Sequence, residues 1–223
     1  MKDGVDGWGN TNWYDKIYGT GTRTHHNISA TGGSDRVRFF ASIGYLDEKG
    51  NIDNYGYNRL NLRSNIDAKL TKSLTFTLGV SGRIEKRDSP RYSANPDDWH
   101  NVPQQVIRAL PYVPATYEYE GKVYNVSTPT ASSPVAPLAS INESGYSKSN
   151  YSYIQSNFSL KYDAPWLKGL SFKFQGAYDL TYNFSKILTN PYEVMIMNLP
   201  TIESTSLTYY KGCLLYTSPS PRD

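Results

Sequence analysis

Cysteine is almost absent: Cys213 is the one cysteine in 223 residues. No internal disulfide can form, which excludes a disulfide-stapled secreted scaffold. Long apolar runs are also missing, and mean hydropathy is -0.58. A membrane helix needs about 20 consecutive apolar residues, so a helical membrane protein is excluded. A barrel is not excluded, because alternating strands dilute hydropathy. The net charge of +3 is too small to argue for a nucleic-acid partner, and none is expected. No P-loop, Ser-His-Asp spacing or Cys/His cluster occurs, so no cofactor, metal or enzymatic chemistry is expected. The adjacent pair His25-His26 falls in a stretch read as strand, where neighbours point to opposite faces and do not chelate together. His100 has no second histidine nearby. Met1-Lys2-Asp3-Gly4 leads into Gly/Asn/Trp-rich sequence with no apolar signal-peptide core. For an exported protein this predicts a natural N-terminus further upstream.

Tyrosine is abundant, with 20 Tyr and 4 Trp against 7 Phe. Amphipathic rings suit a membrane–water interface and also sugar or protein contact surfaces. The most informative stretch is 59–84. Arg59, Asn61, Arg63, Asn65, Asp67 and Lys69 alternate with Leu60, Leu62, Ser64, Ile66, Ala68 and Leu70. After Thr71-Lys72-Ser73 the alternation resumes. Leu74, Phe76, Leu78, Val80 and Ile84 form one row, and Thr75, Thr77, Ser81, Arg83 and Glu85 the other. Period two over about ten residues is the mark of a strand with one apolar and one polar face, long enough to cross a bilayer when tilted.

The same reading along the chain predicts strands near 22–31, 36–46, 58–70, 74–86, 150–162 and 170–182. Together they make an all-β, antiparallel up-and-down meander of about six strands. The connections sort by length. Those at 32–35, 71–73 and 163–169 are short, while 47–57 and 87–147 are long. In a meander, alternate connections lie at the same end, so all short turns share one end and all long loops the other. Outer-membrane barrels have that arrangement, with short periplasmic turns and long extracellular loops. A soluble sandwich has no reason to sort its loops so. The chain is therefore expected to be a piece of a large transmembrane β-barrel, spanning 22–182, with an extracellular loop at 87–147 and another at 183–212. The competing reading is a secreted soluble β-domain, acting as a carbohydrate-binding or adhesive module. Within the long loop, Trp99, Val102, Val106, Ile107 and Leu110 recur at helical spacing before Pro111, with Pro103 in the first turns.

Several stretches resemble SusC/RagA-type TonB-dependent transporters. They are Asn12-Trp13-Tyr14-Asp15-Lys16-Ile17, His26-Asn27-Ile28-Ser29-Ala30-Thr31-Gly32-Gly33, and Ala41-Ser42-Ile43-Gly44-Tyr45-Leu46-Asp47-Glu48-Lys49-Gly50. Tyr57-Asn58-Arg59-Leu60-Asn61-Leu62-Arg63 and the turn Pro165-Trp166-Leu167-Lys168-Gly169-Leu170 belong to the same set. The resemblance implies a 22-stranded outer-membrane barrel with an N-terminal plug, so that 1–21 would connect plug to barrel. It also implies import of glycan or peptide nutrients, powered through TonB, with a SusD-like lipoprotein as lid. Outer-membrane lipid and an oligosaccharide or peptide substrate would be the remaining partners.

On this reading Arg59, Arg63, Arg83 and Glu85 are candidate lumen-facing residues. Trp99, Tyr112, Tyr117, Tyr119 and Tyr124 are candidate contacts for a ligand or the lid; packing of the long loop on itself is the plainer use of those rings. Asn125-Val126-Ser127 matches a glycosylation sequon that a bacterial outer-membrane protein would not use. The final eleven residues, Cys213 to Asp223, resemble one translated frame of a transposon mosaic-end sequencing adapter. The natural sequence is expected to stop near Gly212, leaving a gene fragment open at both ends. The tail 213–223 is expected to contribute nothing to fold or function.

Overall fold

The structure is a computed structural model, and it describes residues 8–91, 101–127, 135–199 and 207–214. The elements in order are α1 (Trp13–Ile17), β1 (Thr22–Gly33), β2 (Val37–Lys49), β3 (Gly56–Lys69), β4 (Leu74–Pro90), α2 (Val102–Arg108), β5 (Thr116–Tyr119), β6 (Lys122–Ser127), α3 (Pro137–Asn142), β7 (Gly145–Asp163), β8 (Ser171–Thr189), β9 (Tyr192–Asn198) and β10 (Thr208–Leu214).

Six strands form one sheet in the order β1-β2-β3-β4-β7-β8, and every neighbouring pair is antiparallel. The register puts like beside like. Ile28 faces Ile43, Ile43 faces Leu62, and Leu62 faces Gly82; Gly82 faces Ile154, and Ile154 faces Leu180. Two steps along, Phe39, Ile66, Leu78 and Phe158 share a second such row. Side chains at even spacing share a face, so a continuous apolar surface crosses all six strands. On the other face Arg59 stands opposite Glu85, Arg63 opposite Ser81 and Asp67 opposite Thr77.

The apolar surface is bare. Ile28 is 72% exposed, Phe174 64% and Leu180 47%. A soluble sandwich would cover this face with a second sheet, whereas a barrel wall leaves it to lipid. The height fits as well. Along β4 the apolar row runs from Leu74 to Ile84. Ten residue steps at about 3.3 Å, tilted by about 40°, span roughly 25 Å, the apolar band of an outer-membrane barrel. The band ends at the loop side in a polar row, where Asp47 faces Asn58 and Asn58 faces Lys86. Aromatic rings lie at its turn end: Tyr162 and Trp166 meet at a tilt of 47° with ring centres 5.9 Å apart, and Trp166 is exposed.

The connections 34–36, 70–73 and 164–170 lie at one end and 50–55 and 91–144 at the other. Because β2 and β3 run further than the alternation indicates, 50–55 is shorter than 164–170, and 91–144 alone of these is long. Every strand is longer than the alternation indicates. β7 begins at Gly145 and β8 runs to Thr189, because beyond the lipid band both faces become polar and the period-two signal fades.

The loop end holds the molecule's packed core. Trp13, Ile17, Ile52, Val102, Val106, Val113, Tyr124, Val126, Ile141, Met195 and Met197 are buried together there. A second sheet of order β10-β9-β6-β5 lies in this region. Within 183–212 the described residues finish β8 and supply β9 and the start of β10, so the expected loop region carries strands of its own. Val194, Met195 and Met197 are all buried. A strand covered on both faces reads as a continuous apolar run rather than an alternation. β10 continues through Cys213 and Leu214, which stand opposite Glu193 and Tyr192. A ladder needs only backbone partners, so the lack of alternation in the tail did not prevent these two residues from extending a strand. Residues 215–223 lie outside the described residues.

Candidate functional site

The candidate site has two parts, the polar face of the sheet and the cap built by the loop end. The cap is assembled by local signals. Asn12 accepts a hydrogen bond from Asp15 N (3.4 Å) and caps α1. Asn101 accepts from Gln104 N (3.0 Å) and caps α2, with Pro103 in the first turn, where no N–H is needed. The segment before β1 is tied into the cap. Trp13 Nε1 donates to Leu110 O (2.9 Å), and Thr11 Oγ1 to Val113 O (2.8 Å). Tyr18 bridges to Ile52. The described part of 1–21 therefore sits at the long-loop end, and the chain enters β1 from that side, where Thr22 pairs with Lys49.

The tyrosines of the long loop have different surroundings. Tyr112 is half-buried, edge-on to Trp8 at 5.6 Å. Tyr117 stacks on Tyr209 at 4.1 Å. Burial between these rings pushes the Tyr209 hydroxyl up to about 12. Tyr124 is buried, with Lys122 Nζ 4.6 Å and Lys211 Nζ 5.4 Å from its ring centre. Tyr119 is exposed. Trp99 and His100 lie outside the described residues. Tyr117 also lines an open hollow of about 710 Å³ with Trp8, Asn12, Asp15 and Lys16. Glu193 bridges Lys211 (2.9 Å) and Lys122 (3.6 Å) at the surface. The hydrogen bond from Lys211 holds the Glu193 carboxyl below the usual range.

On the polar face, Arg59, Arg63, Arg83 and Glu85 share one surface, as the period-two pattern indicates. Three of them converge. Glu85 is 3% exposed. Its Oε1 accepts from Arg83 Nε at 2.9 Å, and its Oε2 from Arg87 Nη2 at 3.0 Å. Arg59 stands directly across the ladder from Glu85. Arg63 is further along the strand and lines a separate hollow of about 490 Å³ with Asn65, Ser81, Gln155, Asn157 and Asp179. Three members of the Glu85 group were not singled out from the sequence. Arg87 continues the Arg83, Glu85 alternation by one step and was legible there. Tyr151 and Tyr153 fall on the polar side of the fifth predicted strand. Their guanidinium partners come from a neighbouring strand nearly 70 positions earlier, which local pattern does not reveal. His25 and His26 oppose Leu46 and Tyr45 and point to opposite faces.

An antiparallel meander with a bare apolar outside, a charged inside and its long connection 91–144 at one end defines a segment of a transmembrane β-barrel. No family model matches the chain. In sequence it is 33% identical over 84 residues to TonB-dependent receptor P3 of Formosa agariphila, covering 38% of this chain and 8% of that protein. It is 32% identical over 60 residues to TonB-dependent receptor SusC of Bacteroides thetaiotaomicron, covering 27% and 6%. In fold it is similar to the RagAB peptide importer in its closed-closed state. There the TM-score is 0.60 and identity 20%, over 83% of this chain and 20% of that one. The RagAB peptide transporter gives 0.58 and 19%, over 92% and 22%. The chain is thus similar in sequence to short stretches of TonB-dependent receptors, SusC among them, and in fold to part of the RagAB transporter. The matched segments span less than a tenth of the length of these curated relatives.

Proposed function

We propose that this segment is the early barrel wall and part of the extracellular cap of a TonB-dependent importer of glycan or peptide nutrients. The importer works with a SusD-like lipoprotein as its lid. The observation that carries the reading is the two-faced sheet. Its outer face is a lipid-height apolar band, and its inner face is lined with arginine, asparagine and serine beneath a folded loop cap. Such a wall encloses a wet path while meeting hydrocarbon outside. The cap gives a lipoprotein lid a structured surface to close against. Residues 8–21 in this reading form part of the cap rather than a link from the periplasmic side.

Uptake by the natural host tests it. Labelled oligosaccharides and peptides are offered to cells with the intact gene, with the gene deleted, and with TonB deleted. The reading predicts that uptake of at least one solute falls to background in both deletions. It also predicts that the receptor co-purifies with a neighbouring lipoprotein. Uptake of every solute at the wild-type rate in both deletions would contradict it.

A further inference from the structure

The group around Glu85 carries more positive charge than it neutralises. Arg83 and Arg87 engage both oxygens of the one carboxylate, and a third cation, Arg59, stands opposite it in the ladder. In the next row of the polar face Glu48 is held by Arg23 at 3.0 Å, and Asp88 lines the same hollow as Arg87. Positive charge exceeds negative charge within the arginine–Glu85 group itself. Arg59 Nε is itself buried and has no hydrogen-bond acceptor. An unmade bond of that kind is costly, and more so for a charged group.

The neighbouring rings fix how the guanidiniums present themselves. Arg83 lies 4.4 Å over the Tyr153 ring. Arg87 lies between Tyr151 (5.2 Å) and Tyr57 (5.6 Å). Each of these two guanidiniums spends one N–H on Glu85 and carries further in-plane donors beyond it. Arg87 and Tyr57 also line an open hollow of about 530 Å³ at the loop end of the wall. Stacked, preordered guanidiniums with spare in-plane donors are suited to bidentate capture of a planar carboxylate or a sulfate.

We infer that the Arg59–Arg83–Arg87 group is an oxyanion-binding station on the lumen wall that takes the carboxylate or sulfate of a passing acidic solute. Glu85 sets the arginine geometry and keeps the station from holding its anion too tightly for onward passage. The inference rests on the importer reading and adds the charge class of the solute.

The test uses the full-length receptor that carries this segment, folded in detergent, with binding measured by calorimetry. The probes are an oligogalacturonate, a sulfated oligosaccharide, an acidic peptide and a neutral malto-oligosaccharide. At least one acidic probe should bind. The Arg83→Gln/Arg87→Gln variant should weaken that binding by about tenfold or more, as loss of charge-assisted bonds does. Any binding of the neutral probe should not change. Glu85→Gln removes the competing carboxylate and should tighten the acidic probe, a gain that a merely structural role would not give. It also serves if the double variant does not fold. Which acidic probe responds tells glycan from peptide. An unchanged affinity in the double variant, no tightening in Glu85→Gln, or binding of the neutral probe alone would overturn the station. TonB-dependent uptake of a neutral solute in cells would still uphold the importer.

Discussion

Val80 and Ser81 are adjacent on β4 and face opposite solvents, so they make a paired probe of the wall. Val80 sits near the middle of the apolar band, opposite Ser64 and Ser156. An arginine there is forced into hydrocarbon, and Val80→Arg should cost about 2–4 kcal/mol. Ser81→Arg adds the same charge to the wet face and should leave stability within about 0.5 kcal/mol. Unfolding of the full receptor in lipid vesicles reads both. Gly145 tests a backbone constraint. It opens β7 at φ +101°, and a Cβ there would collide with the Leu188 carbonyl oxygen. Gly145→Ala should therefore destabilise by more than about 1 kcal/mol, seen as a smaller heat-resistant folded fraction of the receptor.

At the scale of elements, the cap and the wall obey different rules. Met197 in β9 is fully buried in the cap core. Met197→Ala should cost the cap about 2–5 kcal/mol, and loop sites should become protease-sensitive while the strands stay protected. The cap should also loosen in alkali. The Tyr209 hydroxyl, raised by burial to about 12, keeps its proton in the folded cap at a pH where the unfolded chain loses it. Its contribution is whole below pH of about 10 and falls as pH rises toward 12. Tyrosine absorbance should show a late-ionising component that Tyr209→Phe reduces, with protease sensitivity of the cap rising over the same window.

The same division explains what was legible in the sequence. The wall could be read residue by residue, because lipid outside and water inside impose period two. Leu62 and Arg63 needed no other information. That alternate connections share an end followed from strand order; the length of 47–57 as a loop did not hold, because strand pairing takes up both its ends and leaves 50–55. The cap was opaque. β9 is apolar on both sides and pairs in parallel with β6 through Val126↔Met195, a contact across almost 70 residues. Tyr112, Tyr117 and Tyr124 were visible as aromatics, but their packing partners Trp8 and Tyr209 come from distant parts of the chain. At the candidate site, Arg59, Arg83 and Glu85 were legible as one face, and their enclosure by Tyr151 and Tyr153 was not.

As a whole molecule the segment is an open sheet with β1 and β8 at its edges. Six strands are fewer than the smallest closed bacterial barrels, which begin at about eight. Expressed alone without detergent, the 223-residue chain should aggregate through its bare outer face and its two edges, as light scattering would register. A monomer that unfolds cooperatively in water would favour the soluble reading instead. The most direct test is made inside the full receptor in lipid vesicles, with single spin labels placed in turn from Phe76 to Ile84 along β4. Labels at 76, 78, 80, 82 and 84 should be relaxed by oxygen dissolved in the bilayer, and labels at 77, 79, 81 and 83 by a water-soluble nickel chelate, alternating without a break. Uniform access to the polar reagent, or an alternation of opposite phase, would contradict the barrel wall.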